Sequence, residues 1–136
     1  MSNTTKATLT SLERAVQCAA LALDKKAHDV KILEIKHISS IADYLVLATG
    51  LSDKQTQAIA ESVRHGLKKY GKPLDIEGLK EGNWVVIDYG DVILHVFKEE
   101  LRHYYNLDEL WSGAPLVAIP AEYQWETDRQ RETDRA

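Results

Sequence analysis

The stretch YLVLATGLSDKQTQAIAESV, residues 44 to 63, holds two kinds of pattern back to back. Tyr44 to Ala48 is an unbroken apolar run, short enough for a strand buried on both of its faces. Gly50 breaks it, and Ser52-Asp53-Lys54-Gln55 supplies a capping box that opens a helix. Behind the box, Ile59, Val63 and Leu67 recur at steps of four, the spacing of one helix face. The helix stops at Tyr70-Gly71-Lys72-Pro73, where a glycine and a trailing proline end it. A doubly buried strand leading into an amphipathic helix demands packing on both sides of a sheet, which is an α/β arrangement.

Upstream, residues 10 to 27 carry Leu12, Val16, Ala19, Ala20, Leu23 and Ala27 on a helical stripe, with Thr10 and Glu13 as its capping box. DVKILEIK, residues 29 to 36, has the β-branched content of a strand. Downstream, LDIEG is a short strand, and NWVVIDYGDVILHVF (83 to 97) reads as two strands around Asp-Tyr-Gly-Asp. In KEELRHYYNLDELW, Leu101, Tyr104, Tyr105 and Leu110 mark a closing helix. The expected fold is a single mixed-sheet α/β domain over residues 1 to 113, in the order α-β-β-α-β-β-β-α. Residues 114 to 136 contain two prolines, ETDR twice and little apolar periodicity, and are expected to be a poorly ordered charged tail. Trp125 offers that tail one point from which to pack back.

The totals exclude several classes. With 136 residues and 44% hydrophobic content, one core can be built. No apolar run reaches the roughly 18 residues of a membrane span. The N-terminus lacks the basic-then-apolar order of a signal peptide. The single cysteine, Cys18, forbids an internal disulfide and suits a reducing cytoplasm. Charge is unevenly spread. Residues 1 to 74 carry 11 Lys/Arg and 7 Asp/Glu, a net of +4, whereas residues 75 to 111 carry 3 and 9, a net of −6. The acidic segment is unsuited to phosphate contacts and better matched to a basic protein.

The hairpin sits within that acidic segment. With Tyr89-Gly90 as a two-residue turn, Asp88 faces Asp91 and Trp84 faces His95. One face is then Val85, Ile87, Val92 and Leu94. The other is Trp84, Val86, Ile93 and His95, ending in the two aspartates. Opposed carboxylates repel, so this end is expected to serve something besides hairpin stability. Trp84 reads equally well as a core residue or as an aromatic anchor with a charged rim. Tyr89, at a turn tip, is expected to have little to pack on within its own domain.

Catalytic patterns are weak. Gly50-x-Ser52 and Asp75-x-Glu77 faintly suggest a nucleotidyltransferase with a Mg²⁺ site, but a whole helix separates them. The five histidines show no HExxH pairing, and no P-loop, GxGxxG or GxSxG is present. Neither cofactor nor metal is expected.

Three ordered blocks, SSIADYLVLATGLSDKQTQAIAESV, WVVIDYGDVILHVF and EELRHYYNLDELW, resemble the Iojap family of ribosomal silencing factors over about residues 10 to 113. The resemblance implies a nucleotidyltransferase-like fold without enzymatic activity. It also implies docking on the large ribosomal subunit through the basic ribosomal protein L-fourteen, so that the small subunit cannot join and translation falls when nutrients are scarce. A homodimer of the free protein is implied as well. Carried onto this chain, the partner-binding residues are Trp84 and Tyr89, to which the hairpin's rim adds Asp88, Asp91 and His95. Many relatives have an aliphatic residue at the position of Tyr89. The competing expectations are a Mg-dependent nucleotide-transferring enzyme and a homodimeric scaffold protein.

Overall fold

In the computed structural model, residues 8 to 125 are described. Six strands form one sheet: β1 (His28–Glu34), β2 (Tyr44–Gly50), β3 (Asp75–Glu77), β4 (Trp84–Asp88), β5 (Val92–Lys98) and β6 (Leu116–Val117). Their spatial order is β3-β4-β5-β2-β1-β6. Only the central β2–β5 pair is parallel; β3–β4, β4–β5, β1–β2 and β1–β6 are antiparallel. All seven residues of β2 are buried, as an unbroken apolar run at the sheet centre requires.

Helices α1 (Ser11–Asp24) and α2 (Asp53–Gly66) cover one face. Their joint core includes Ala19, Ile59 and Val63 from the helices and Val46, Ile87, Leu94 and Val96 from the strands. Each fully buried aliphatic chain there contributes on the order of 2 kcal/mol. Thr10 and Glu13 form the full capping box of α1. The second box is only half formed: Ser52 accepts from Gln55 N–H, but the Gln55 side chain accepts from Leu51 N–H instead of Ser52. The buried stripe of α1 is also rotated from the expected one. Ala15, Cys18, Ala19, Ala22 and Leu23 are inside, while Leu12 is 44% exposed. Small residues face inward because α1 and α2 pack closely: a Cβ on Gly66 would lie 2.6 Å from the Leu21 side chain.

The far face is covered only in part, by α3 (Glu99–Tyr105) and α4 (Leu107–Leu110). The expected single closing helix is broken at Asn106, which adopts the left-handed conformation with φ 50°. Asparagine tolerates that conformation at low cost.

The tail boundary moves. Residues 114 to 125 belong to the body: Leu116 and Val117 pair with Leu33 and Ile32, and Pro115 O accepts from Glu34 N–H at 2.9 Å. Trp125 Nε1 donates to Ala27 O at 2.9 Å, the packing point its sequence position offered. A two-residue edge strand and a lone tryptophan leave no periodicity for a sequence reading to detect. Residues 126 to 136 of the expected tail lie outside the described residues.

Candidate docking surface

The β4–β5 hairpin keeps the expected faces but not the expected register. Trp84 lies opposite Phe97, Val86 opposite His95, and Asp88 opposite Ile93. The cause is the connection. Tyr89 N–H donates to Val92 O at 2.9 Å, and Asp88 Oδ1 accepts from Gly90 N–H at 2.8 Å. Meanwhile Asp91 O is taken by the amides of Asp43 and Tyr44 at the start of β2. Residues 89 to 91 thus form a three-residue connection stabilised by an aspartate turn, and Val92 pairs with Tyr44 of β2 instead of with β4. A shift of two residues exchanges cross-strand partners without turning any side chain over. The Asp88–Asp91 opposition is therefore not formed; Asp88 instead lies beside Asp75 of β3.

Two rows then cross the far face of the sheet. One runs Asp75, Asp88, Ile93, Leu45, and the other Glu77, Val86, His95, Leu47. Each begins with an exposed carboxylate, passes through half-buried residues and ends in a buried leucine. Asp75 and Glu77, weighed in sequence only as metal ligands, thus complete the acidic rim of this surface. Their placement depends on β3 pairing with β4, which LDIEG alone does not reveal.

Above the rows stands an aromatic cluster. The Trp84 ring lies 4.9 Å from Phe97, 4.8 Å from Tyr105 and 5.9 Å from His95, centre to centre. Tyr104 meets Tyr105 edge-on. Trp84 Nε1–H donates to His95 Nδ1 at 3.0 Å, which leaves the imidazole neutral with its proton on Nε2. Burial pushes the His95 pKa down to about 4. Trp84 is neither sealed core nor freely exposed: it is half-buried, with its indole N–H satisfied, and it stacks on Tyr105, which is 49% exposed and leads on to Tyr104, 78% exposed. The backbone at Trp84 is set from below by Gly78 (φ 80°), where a Cβ would fall 2.0 Å from Trp84 O.

Tyr89 and Asp91 do not join this surface. They turn toward α1, where Arg14 Nε lies 3.0 Å from an Asp91 oxygen and the guanidinium stacks over the Tyr89 ring at 5.5 Å. Tyr89 packs against the α1/α2 core, contrary to the expectation that a turn-tip tyrosine has nothing to pack on. Its phenol is pushed well above the usual range, chiefly by burial. Of the five expected partner-binding residues, Trp84, Asp88 and His95 share one face; Tyr89 and Asp91 are occupied elsewhere.

Arg102, which carries no local sequence signal, holds this surface together. It is 7% exposed and donates through Nε and Nη2 to both oxygens of Asp108, each at 2.9 Å. Its Nη1 donates to Asp29 O at 2.7 Å and Thr49 Oγ1 at 2.8 Å. Lys31 donates to Asp108 as well, and these donors hold the Asp108 carboxyl well below its usual range. The fork fastens α3, and with it Tyr105, to the sheet.

Of the residues that suggested catalysis, Ser52 caps α2, and Asp75 and Glu77 stand exposed on β3. The Cys18 thiol is buried in the α1/α2 core, which pushes its pKa up to about 12. Among the described residues, no three His, Cys, Asp or Glu side chains gather as a metal site.

The family described as "Ribosomal silencing factor during starvation" matches residues 8–136, running past residue 113 where the resemblance was expected to end. A ribosomal silencing factor of Bacillus subtilis is 44% identical over 102 residues, 74% of this chain and 86% of that protein. Another from Halalkalibacterium halodurans is 42% identical over 111 residues, 80% of this chain and 95% of the relative. The crystal structure of a Chromobacterium violaceum protein superposes with a TM-score of 0.74 at 32% identity, covering 87% of this chain and all of that one.

Proposed function

The chain belongs to the family of ribosomal silencing factors, and from that membership we propose that it represses translation by docking the Trp84 face on the large ribosomal subunit. The partner at that face is ribosomal protein L-fourteen, a basic protein, and the docked factor prevents joining of the small subunit under nutrient limitation. The action is steric and cytoplasmic, and it requires no catalysis.

The observation that carries the reading is the pair of rows leading from Asp75, Glu77 and Asp88 to the aromatic cluster at Trp84. An aromatic anchor beside a charged rim is how interface hot spots are built. The rim's negative charge speeds encounter with a basic partner and makes the rate salt-dependent. Tyr89 and Asp91 take a supporting part, holding the turn against α1.

Trp84→Ala is expected to weaken co-sedimentation with purified large subunits by about 2 kcal/mol or more, near 30-fold in affinity. The circular dichroism spectrum should be retained. Full joining of the subunits on a sucrose gradient, at saturating wild-type protein, would end the proposal. The exposed Tyr104 and Leu110 beside this face also favour a homodimer of the free protein, in which subunit docking and self-association compete. Sedimentation of the Trp84→Ala variant as a monomer supports that second reading.

A further inference from the structure

Around the β3 edge from the docking face lies a surface of opposite charge. A cleft of about 580 Å³ is lined by Arg64, His65, Lys68 and Lys72, with Glu61 and Asp75 also on its wall. Residues 62 to 74 carry four Lys/Arg and no Asp/Glu, in a chain of net charge −4. Arg64 is held by both oxygens of Glu61, at 2.9 and 3.2 Å. Lys68 and Lys72 make no ion pair among the described residues. The helix dipole accounts for Arg64 and His65, which occupy the last turn of α2. Lys68 and Lys69 lie in the short 3-10 turn (Lys68–Tyr70) that continues the helix, with Lys69 over the Tyr70 ring, and Lys72 lies beyond that turn, out of reach of the helix end.

We propose that this cleft receives the phosphate backbone of an RNA, bound without sequence preference. Unpaired lysines on flexible stems suit phosphates, which are recognised by charge and position. An acidic protein is the poorer match, because no Phe, Tyr or Trp ring lines the cleft and its one arginine is already held by Glu61. The proposal rests on the ribosomal reading, since a subunit surface presents RNA beside basic protein. The β3 edge would then divide two contacts, acid and aromatic toward protein on one side, lysine toward RNA on the other.

The test uses the full chain and a short fluorescent RNA duplex, with anisotropy followed across a salt series. Lys68→Glu/Lys72→Glu should weaken duplex binding about tenfold or more and lower the salt slope by about 2. The matched charge change Lys54→Glu/Lys80→Glu, toward the opposite end of α2, should leave binding within about twofold. Trp84→Ala should retain duplex binding while losing large subunits. Equal binding by both lysine pairs overturns the inference, as does tighter binding of polyglutamate than of the duplex. If Trp84→Ala keeps its subunits while the cleft variant loses the duplex, the docking face is wrong and the RNA site stands.

Discussion

The two faces of the sheet are built by different physics. The face under α1 and α2 is largely aliphatic and closed, with Tyr44 buried among the aliphatic chains and Tyr70 and Tyr89 at its margin. The face under α3 and α4 is aromatic and half-open, fastened by a guanidinium fork at Arg102 and by the Trp84–His95 hydrogen bond. Nondirectional apolar burial suffices where water is fully excluded. Where a surface must stay open, polar bonds and ring stacking give order without complete burial. Stability and binding should therefore separate between the faces.

The strongest test of that separation lies on the closed face. Leu94→Ala removes a fully buried side chain between β2 and β4, and should cost about 3 kcal/mol in urea unfolding. At temperatures where the variant is folded, its affinity for large subunits should be unchanged. A loss of affinity there would mean that the faces are coupled.

Acid should act on the open face. The folded-state pKa of His95 lies near 4, below its ordinary 6.5, so the unfolded chain takes up the proton more readily. Stability present above pH 6.5 is therefore lost as pH falls toward 4, by up to about 3 kcal/mol. His95→Gln, whose amide oxygen can still accept from Trp84 Nε1, should flatten that slope in urea midpoints measured between pH 7 and pH 4.5. An unchanged slope would assign the acid sensitivity to other groups.

Arg102→Met sharpens the comparison with the smallest effect on stability. It keeps most of the stem but removes the fork, and should cost about 2 kcal/mol, since Lys31 still neutralises Asp108. Near-ultraviolet circular dichroism should weaken as Tyr105 loosens from Trp84, and subunit affinity should fall with it. Retained affinity would show that α3 contributes nothing to docking.

Much of this was legible in the chain itself. The doubly buried β2, the capped starts of α1 and α2, and the sorting of Trp84, Val86, Ile93 and His95 onto one side of the hairpin all follow from local periodicity. Periodicity is a property of neighbouring residues, so it survives without knowledge of the partner element. The hairpin register, the turning of Tyr89 and Asp91 toward Arg14, the arrival of Asp75 and Glu77 beside Asp88, and the Arg102 fork were decided only in three dimensions. Each joins residues distant along the chain or depends on how a turn closes, and a polar side chain reveals its role only when its partner is in place. What the sequence determined was which residues face together; which groups meet there was set by the packed fold.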